Sequence, residues 1–309
     1  IAIRRLGQQR GLKINEYGVF RFEKQVAGRT EASVYRALDL PLIPPELREN
    51  RGEIEAAAES RLPQLIERKD LKGDLHIHTA ASDGHNSLEE MARAAKQQGL
   101  KYIAVTEHSG RLKVAGGLDA KRLRQQSDEI ERLNDRLKGI QILKGLEVEI
   151  LKDGSLDLSD DELSRLDLVV GTVHSHFNLS LEKQTERILR AMDQPYFSML
   201  AHPTGRKINQ RDPYQVDLTR IIQKAGERGC FLELNANPKR LDLTDTYCQM
   251  AKEQGVLVSI NSDAHNIDAY NDLEFGVGQA RRGWLEKKDV LNTRPLAQVR
   301  QLLKQTMGA

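Results

Sequence analysis

From Asp70 onward the chain alternates two hydrophobic patterns. Short, nearly continuous apolar runs are separated by longer stretches whose apolar residues recur every three or four positions. The first pattern marks buried parallel strands, the second amphipathic helices. "KGDLHIH" reads as a strand. "SLEEMARAAKQQG" reads as a helix capped by Ser87 and closed by Gly99. "KYIAVTEH" is a strand, "DAKRLRQQSDEIERLNDRLKG" a long helix, and "IQILKGLEVEI" and "LDLVVGTVH" are strands. The alternation continues through "LEKQTERILRAM" (helix), "FSMLAHP" (strand), "DLTRIIQKAGERG" (helix) and "CFLELNAN" (strand). It ends with "TDTYCQMAKEQG" (helix), "VLVSINSDAH" (strand) and a closing helix, "RPLAQVRQLLKQ". Strands alternating with helices predict parallel βα units, and seven of them predict a closed or nearly closed barrel of TIM type. The alternative is an open doubly wound sheet.

The first 40 residues break this rhythm. They read as a helix, the hairpin-like "GLKINEYGVFRF" and a short helix, a small α+β piece. "PLIPPELREN" interrupts helix, because proline excludes it at its own position and disfavours it one residue earlier. "GEIEAAAESRLPQLI" reads as a charged, Ala-rich and partly helical linker. The predicted organisation is therefore 1–40, a linker at 41–69, and a barrel at 70–309. No internal repeat or low-complexity tract is visible.

Composition narrows the class. Mean hydropathy is −0.56 and 30% of the 309 residues are charged, and no apolar run approaches the ~18 residues that span a bilayer. No secretory leader is visible. The expectation is a cytoplasmic protein without a membrane partner. Cys230 and Cys248 form no CxxC pair, so buried, reduced thiols are expected. The net charge of +2 conceals an asymmetry: residues 1–36 carry eight Lys/Arg against Glu16, Glu23 and Glu31. A basic arm on a faintly acidic body is compatible with a polyanion partner.

The candidate chemistry lies at the strand ends. In chain order these carry His76 and His78; Glu107 and His108; Glu147 and Glu149; His174 and His176; His202; Asn235; and Asp263 and His265. In a parallel barrel all such ends meet on one face, where active sites are built. Imidazole and carboxylate without thiolate suit manganese, zinc or iron. A strand repeats every two residues, so His76 and His78 can grip one ion together. The ligand supply exceeds the need of one ion. Clustered ions make hydroxide near neutral pH and stabilise both oxygens of a phosphoryl transfer.

"DLHIHTAASDG", "AVTEHS", "GLEVEI", "GTVHSHF", "LAHPTGR" and "SINSDAH" together resemble the motifs of the PHP (polymerase and histidinol phosphatase) family. "RGLKINEYGVF", "GRTEASVYRALDLPLIPPELREN" and "ELNANPKRLDL" are similar to bacterial family X DNA polymerases, which end in a PHP domain. The resemblance implies a distorted (β/α)7 TIM-like barrel, with residues 1–40 as the end of a polymerase thumb. Fingers and palm would lie outside this sequence, which begins with Ile rather than Met. The family also implies three divalent ions. His76, His78, Glu147 and Asp263 would hold one. Glu147 would bridge to a second, held by His174 and His202. Asp83, His108 and His265 would hold the third. Arg206 is the candidate for gripping a non-bridging phosphate oxygen. His176 is a candidate proton donor, and Glu107 a residue that orients an imidazole. Asn235 and Arg240 are candidates to touch DNA, and His85 an exposed loop residue.

The implied activity is a metal-dependent 3′–5′ exonuclease working in DNA repair on single-stranded or gapped 3′ ends, with 3′-phosphatase or abasic-site cleavage as related reactions. The alternatives are a small-molecule phosphatase of the histidinol phosphate type and a metal-stabilised structural module of a polymerase.

Overall fold

A computed structural model describes residues 1–308. The contacts divide the chain into two compact units, Ile1–Gln64 and the residues from Leu65 onward. In the first unit a helix (Ala2–Gln9) precedes an antiparallel sheet of β1 (Lys13–Asn15), β2 (Gly18–Arg21) and β3 (Lys24–Ala27). The helix Glu31–Arg36 follows, capped reciprocally by Thr30 and Ser33. The passage after it belongs to this unit: Leu38, Leu40, Ile43, Leu47, Ala56 and Ala57 are buried. Pro45 opens a single 3₁₀ turn, and Glu53–Ala58 is a short helix.

The second unit is built on seven parallel strands: β4 (Gly73–Ile77), β5 (Tyr102–Val105), β6 (Gln141–Glu149), β7 (Leu168–Thr172), β8 (Met199–Leu200), β9 (Phe231–Asn235) and β10 (Val258–Asn261). Neighbours in sequence are neighbours in the sheet. The ring is drawn shut where Ile77 bridges Ala264, His78 N donates to Ala264 O (2.8 Å) and Asp263 N donates to His76 O (3.0 Å). The predicted barrel is therefore present, nearly closed, with helices around it.

Alternation along the strands sorts the core into layers. Tyr102 and Ala104, Leu143, Leu168 and Val170, Met199 and Phe231 form one cluster with Val299 and Leu303 of the last helix, Leu296–Lys304. Ile103 and Val105, Ile142, Leu232 and Leu234, and Val258 and Ile260 belong to another, with Met91, Ile130, Leu133, Ile188, Ile221 and Ala251 of the surrounding helices. Each such buried aliphatic side chain stabilises by about 1.5–3 kcal/mol. Packing is tight beside the sheet: a Cβ at Gly171 would fall 2.1 Å from the ring of Phe197, in the segment leading into β8.

The predicted caps are present. Ser87 accepts from Glu90 N at the start of Leu88–Gln97, and Gly99 (φ +87°) follows its end. One helix, Leu273–Arg282, carries no helical signature in sequence, because Gly276 and Gly278 interrupt it. Gly276 is there for packing, since a Cβ would meet that of Ala236 at 2.6 Å. Among the described residues no helix is long and apolar enough to cross a membrane.

Candidate metal centre

The register that buries the apolar residues also fixes which polar ones converge. Glu147 and Glu149 share the parity of Leu143 on β6, and Glu233 and Asn235 that of Phe231 on β9. Five of the eight histidines gather around Glu147 and His265 joins the cluster through Asp83; His85 and His176 are exposed.

Glu147 is the hub. Its Oε2 lies 2.8 Å from His108 Nδ1, 3.5 Å from His76 Nε2 and 3.6 Å from His78 Nε2. Its Oε1 lies 3.0 Å from His202 Nε2 and 3.5 Å from His174 Nε2. Asp263 Oδ1 stands 3.2 Å from His78 Nε2 and 3.6 Å from His76 Nε2. Asp83 faces His108 Nε2 at 3.3 Å and His265 Nε2 at 3.4 Å. Three sets of donor atoms each fit within 4.8 Å: His78, Asp83, His108 and His265; His76, His78 and Asp263; and His108, Glu147 and His174. All nine expected ligands are thus brought together. His108 belongs to two sets, presenting one nitrogen to Glu147 and the other to Asp83.

The donors fit a cation. His76 Nε2, both nitrogens of His78, His202 Nδ1, His108 Nδ1 and Glu147 Oε2 are buried without a hydrogen bond. His108 Nδ1 lies only 2.8 Å from Glu147 Oε2. Buried polar atoms are almost always paired. Six orphans in one cluster are the mark of a site shaped for an ion.

Electrostatics in the metal-free chain agree. Burial disfavours charge on His76, but Glu233, Asp263 and Glu147 hold its pKa well above the ordinary value. Burial works the same way on His108, and Glu147 and Asp83 raise it to about 10. His78 falls to about 3, through burial and then the charge of His108. His202 falls to about 4, through burial and then Arg240. Against burial, the surrounding imidazoles keep Glu147 and Asp263 well below the usual carboxylate range.

A second ring of carboxylates, barely visible in the sequence, aims these ligands. Glu233 lies 2.7 Å from His76 Nδ1 and accepts from His202 N (2.8 Å) and Asn261 Nδ2 (3.0 Å). That places the His76 proton on Nδ1 and turns the Nε2 lone pair toward Glu147. Glu149 stands 3.4 Å from His174 Nδ1, accepts from His174 N (2.9 Å) and pairs with the fully buried Arg187 at 3.3 Å. Asp74 accepts from Ser262 N and Oγ and from His76 N, and burial pushes it up to about 7. The only sequence signal for Glu233 is a glutamate between leucines in a buried strand, where an unpaired charge cannot persist.

Four assignments change. Glu107 orients no imidazole; it accepts from Thr79 N, Thr79 Oγ1, Ser82 Oγ and Gln126 Nε2, and so fixes the loop bearing Asp83. Asn235 is fully buried and donates to Asp263 Oδ2 (3.0 Å), so it cannot touch DNA. Arg206 does not reach the site: Gly205 (φ +62°) turns the chain, and its guanidinium donates to Arg240 O (2.7 Å) and Leu241 O. His176, in a left-handed conformation (φ +55°), does not line the cavity.

That cavity, of about 390 Å³, opens above the ligands. Its rim includes Lys207, Gln210, Asn237, Lys239 and Arg240 from the loops after β8 and β9, and Leu112, Val114 and Ala115 from the loop after β5. The two cationic loops are zipped by Ile208 N to Lys239 O (2.7 Å) and by Arg206. Arg240 lies 3.6 Å from Asp263, and its buried Nη1 has no partner.

The PHP domain model matches residues 74–263, and the DNA polymerase beta thumb model matches residues 1–49. The chain is 44% identical over 98% of its length to the DNA polymerase/3′-5′ exonuclease PolX of Bacillus subtilis, and spans about half (53%) of that protein. It is 30% identical to a Thermoanaerobacter protein named a probable phosphatase, over 75% of this chain and 94% of that one. Among solved structures, a candidate histidinol phosphatase from Listeria monocytogenes superposes with a TM-score of 0.52 at 16% identity, over 64% of this chain and 97% of that one. The last likeness is one of fold.

Proposed function

The chain belongs to the PHP domain family, and from that premise we propose that it is a metal-dependent phosphoesterase that shortens DNA from 3′ ends. The observation that supports this reading is a cluster of six imidazoles and three carboxylates under a cationic rim, on a chain that also matches a polymerase thumb. The proposed ligands are His76, His78, Glu147 and Asp263 for one ion, Glu147, His174 and His202 for a second, and Asp83, His108 and His265 for a third. Manganese, zinc and iron suit this donor set. Bound there, divalent ions supply Lewis acidity and a nucleophilic water near neutral pH.

The protein's own part is placement. Glu233 and Glu149 hold the imidazoles of His76 and His174 in position. Arg240, whose Nη1 is free, receives a non-bridging phosphate oxygen in the role first expected of Arg206. Arg206 holds the carbonyls beside Arg240 and so positions it. Lys207 and Lys239 attract the polyanion.

A second reading, hydrolysis of small phosphomonoesters, draws support from the relative named a probable phosphatase, nearly all of which this chain covers. One experiment separates the two. Manganese-loaded protein is incubated with 5′-labelled single-stranded DNA, beside histidinol phosphate. A ladder of shortened DNA is expected. Phosphate release from histidinol phosphate with intact DNA would overturn the proposal.

A further inference from the structure

The rim joins two kinds of surface. Lys207, Lys239 and Arg240 are cationic; the turn at residues 112–115 gives the cavity the apolar Leu112, Val114 and Ala115, while the exposed Lys113 between them does not line it. In a ring of seven strands in sequential order, β5, which carries that turn, stands across from the β8–β9 pair, which carries the cations. Val114 lines the cavity while remaining 93% exposed. A lone exposed valine on a convex surface is ordinary; one at the mouth of a charged cleft is not.

The turn is held firmly at its root. Ser109 N donates to Glu147 O (2.9 Å), and Leu118 N to His108 O (2.7 Å). Arg122 Nη1 donates to Gly116 O (2.8 Å) while its Nη2 reaches Ala81 O, two residues before Asp83. Gly117 leaves no room for a side chain, because a Cβ would fall 2.0 Å from Ser109 O. The root is thus tied to the strand bearing Glu147 and to the loop bearing Asp83, and the tip presents Val114 to the cleft.

We propose that this turn contacts the terminal nucleobase of the substrate, with Val114 as the specificity-determining residue, while the cations across the cleft receive the phosphates. The inference rests on the DNA-directed reading above. A nucleotide is the ligand that matches both surfaces, since it presents an apolar heterocycle at one end and an anionic diester at the other. A compact polar phosphomonoester has no use for the apolar wall.

The test compares two otherwise identical oligonucleotides, one ending in a normal 3′ nucleotide and one in a base-free tetrahydrofuran residue. The quantity read is the ratio of kcat/KM for the two, in wild-type and Val114→Ser protein loaded with manganese. Wild type is expected to prefer the base-bearing end. The serine variant should lose about fivefold of that preference, as partial burial of one valine side chain implies, and Val114→Leu should keep it. Because the side chain is exposed, unchanged melting temperatures are expected to show that both variants fold. A ratio of one in wild type, or an unchanged ratio in Val114→Ser, overturns the inference and leaves the exonuclease reading standing. If wild type shortens neither oligonucleotide, both fall.

Discussion

The floor and the rim of the cavity are built on opposite rules. On the floor the proposed ligands are largely buried, and three are held by a second side chain: His76 by Glu233, His174 by Glu149, Asp263 by Asn235. At the rim Lys207, Lys239 and Val114 stand on loops, and Arg206 holds only the backbone beside Arg240. In the proposed function the floor carries the reaction and the rim selects what reacts. A change to the floor should therefore be felt by every substrate, and a change to the rim should depend on which substrate is offered.

The sharpest attack on the floor is Glu147→Ala. It removes the carboxylate shared by five imidazoles and should lower turnover of DNA and of small phosphoesters alike by about a thousandfold, since ion-mediated charge stabilisation amounts to several kcal/mol. Equal activity on either substrate would remove Glu147 from the centre. Glu233→Gln leaves the ligands in place but loosens their aim, and should weaken metal affinity by about 10–100-fold, read by competition with a chromogenic chelator. Arg240→Ala tests the rim: KM for DNA should rise about tenfold, the scale of a lost charge-assisted hydrogen bond, with metal affinity unchanged. A loss of metal instead would move Arg240 to the floor.

Protons offer a further separation. With its pKa raised to about 10, His108 carries a proton at neutral pH in the metal-free chain. Metal binding must displace that proton, so affinity should climb as pH rises toward about 10, by about tenfold per unit for each proton released. Calorimetry in buffers of different ionisation enthalpy counts the protons, and a count of zero contradicts the assignment. The smallest expected effect is that of Arg206→Ala. By relaxing the loop under Arg240 it should raise KM for DNA about fivefold or less, with kcat and metal content held.

The same division governed what the sequence disclosed. The floor was legible because a parallel barrel brings strand ends together, so six apolar runs ending in His, Asp or Glu, and a seventh ending in Asn235, already imply one cluster. The braces were not. Glu233 sits inside the run "FLELN", where its neighbours argue only for burial, and Glu149 was visible without a partner because Arg187 is distant in sequence. The rim was least legible. Arg206 is close to His202 in sequence, but the turn at Gly205 carries it elsewhere, and loop direction is set by local dihedrals rather than by composition. Leu273–Arg282 shows the same limit in the fold: two glycines argue against helix, and close packing on Ala236 prevails.

The seam between the first and last strands has a consequence for how the molecule comes into being. Asp263 N bonds His76 O, and Ser262 bonds Asp74 across 188 residues of chain. Joining ends that far apart costs about 5 kcal/mol of chain entropy in a simple loop model. The residues that make the join are, or adjoin, the ones proposed to face an ion. A nascent chain therefore has no complete site until its final strand has docked, and an ion that binds all the ligands stabilises the finished ring over every earlier state. Metal affinity should therefore track closure of the barrel. A half-made chain would carry its histidines without the means to hydrolyse anything.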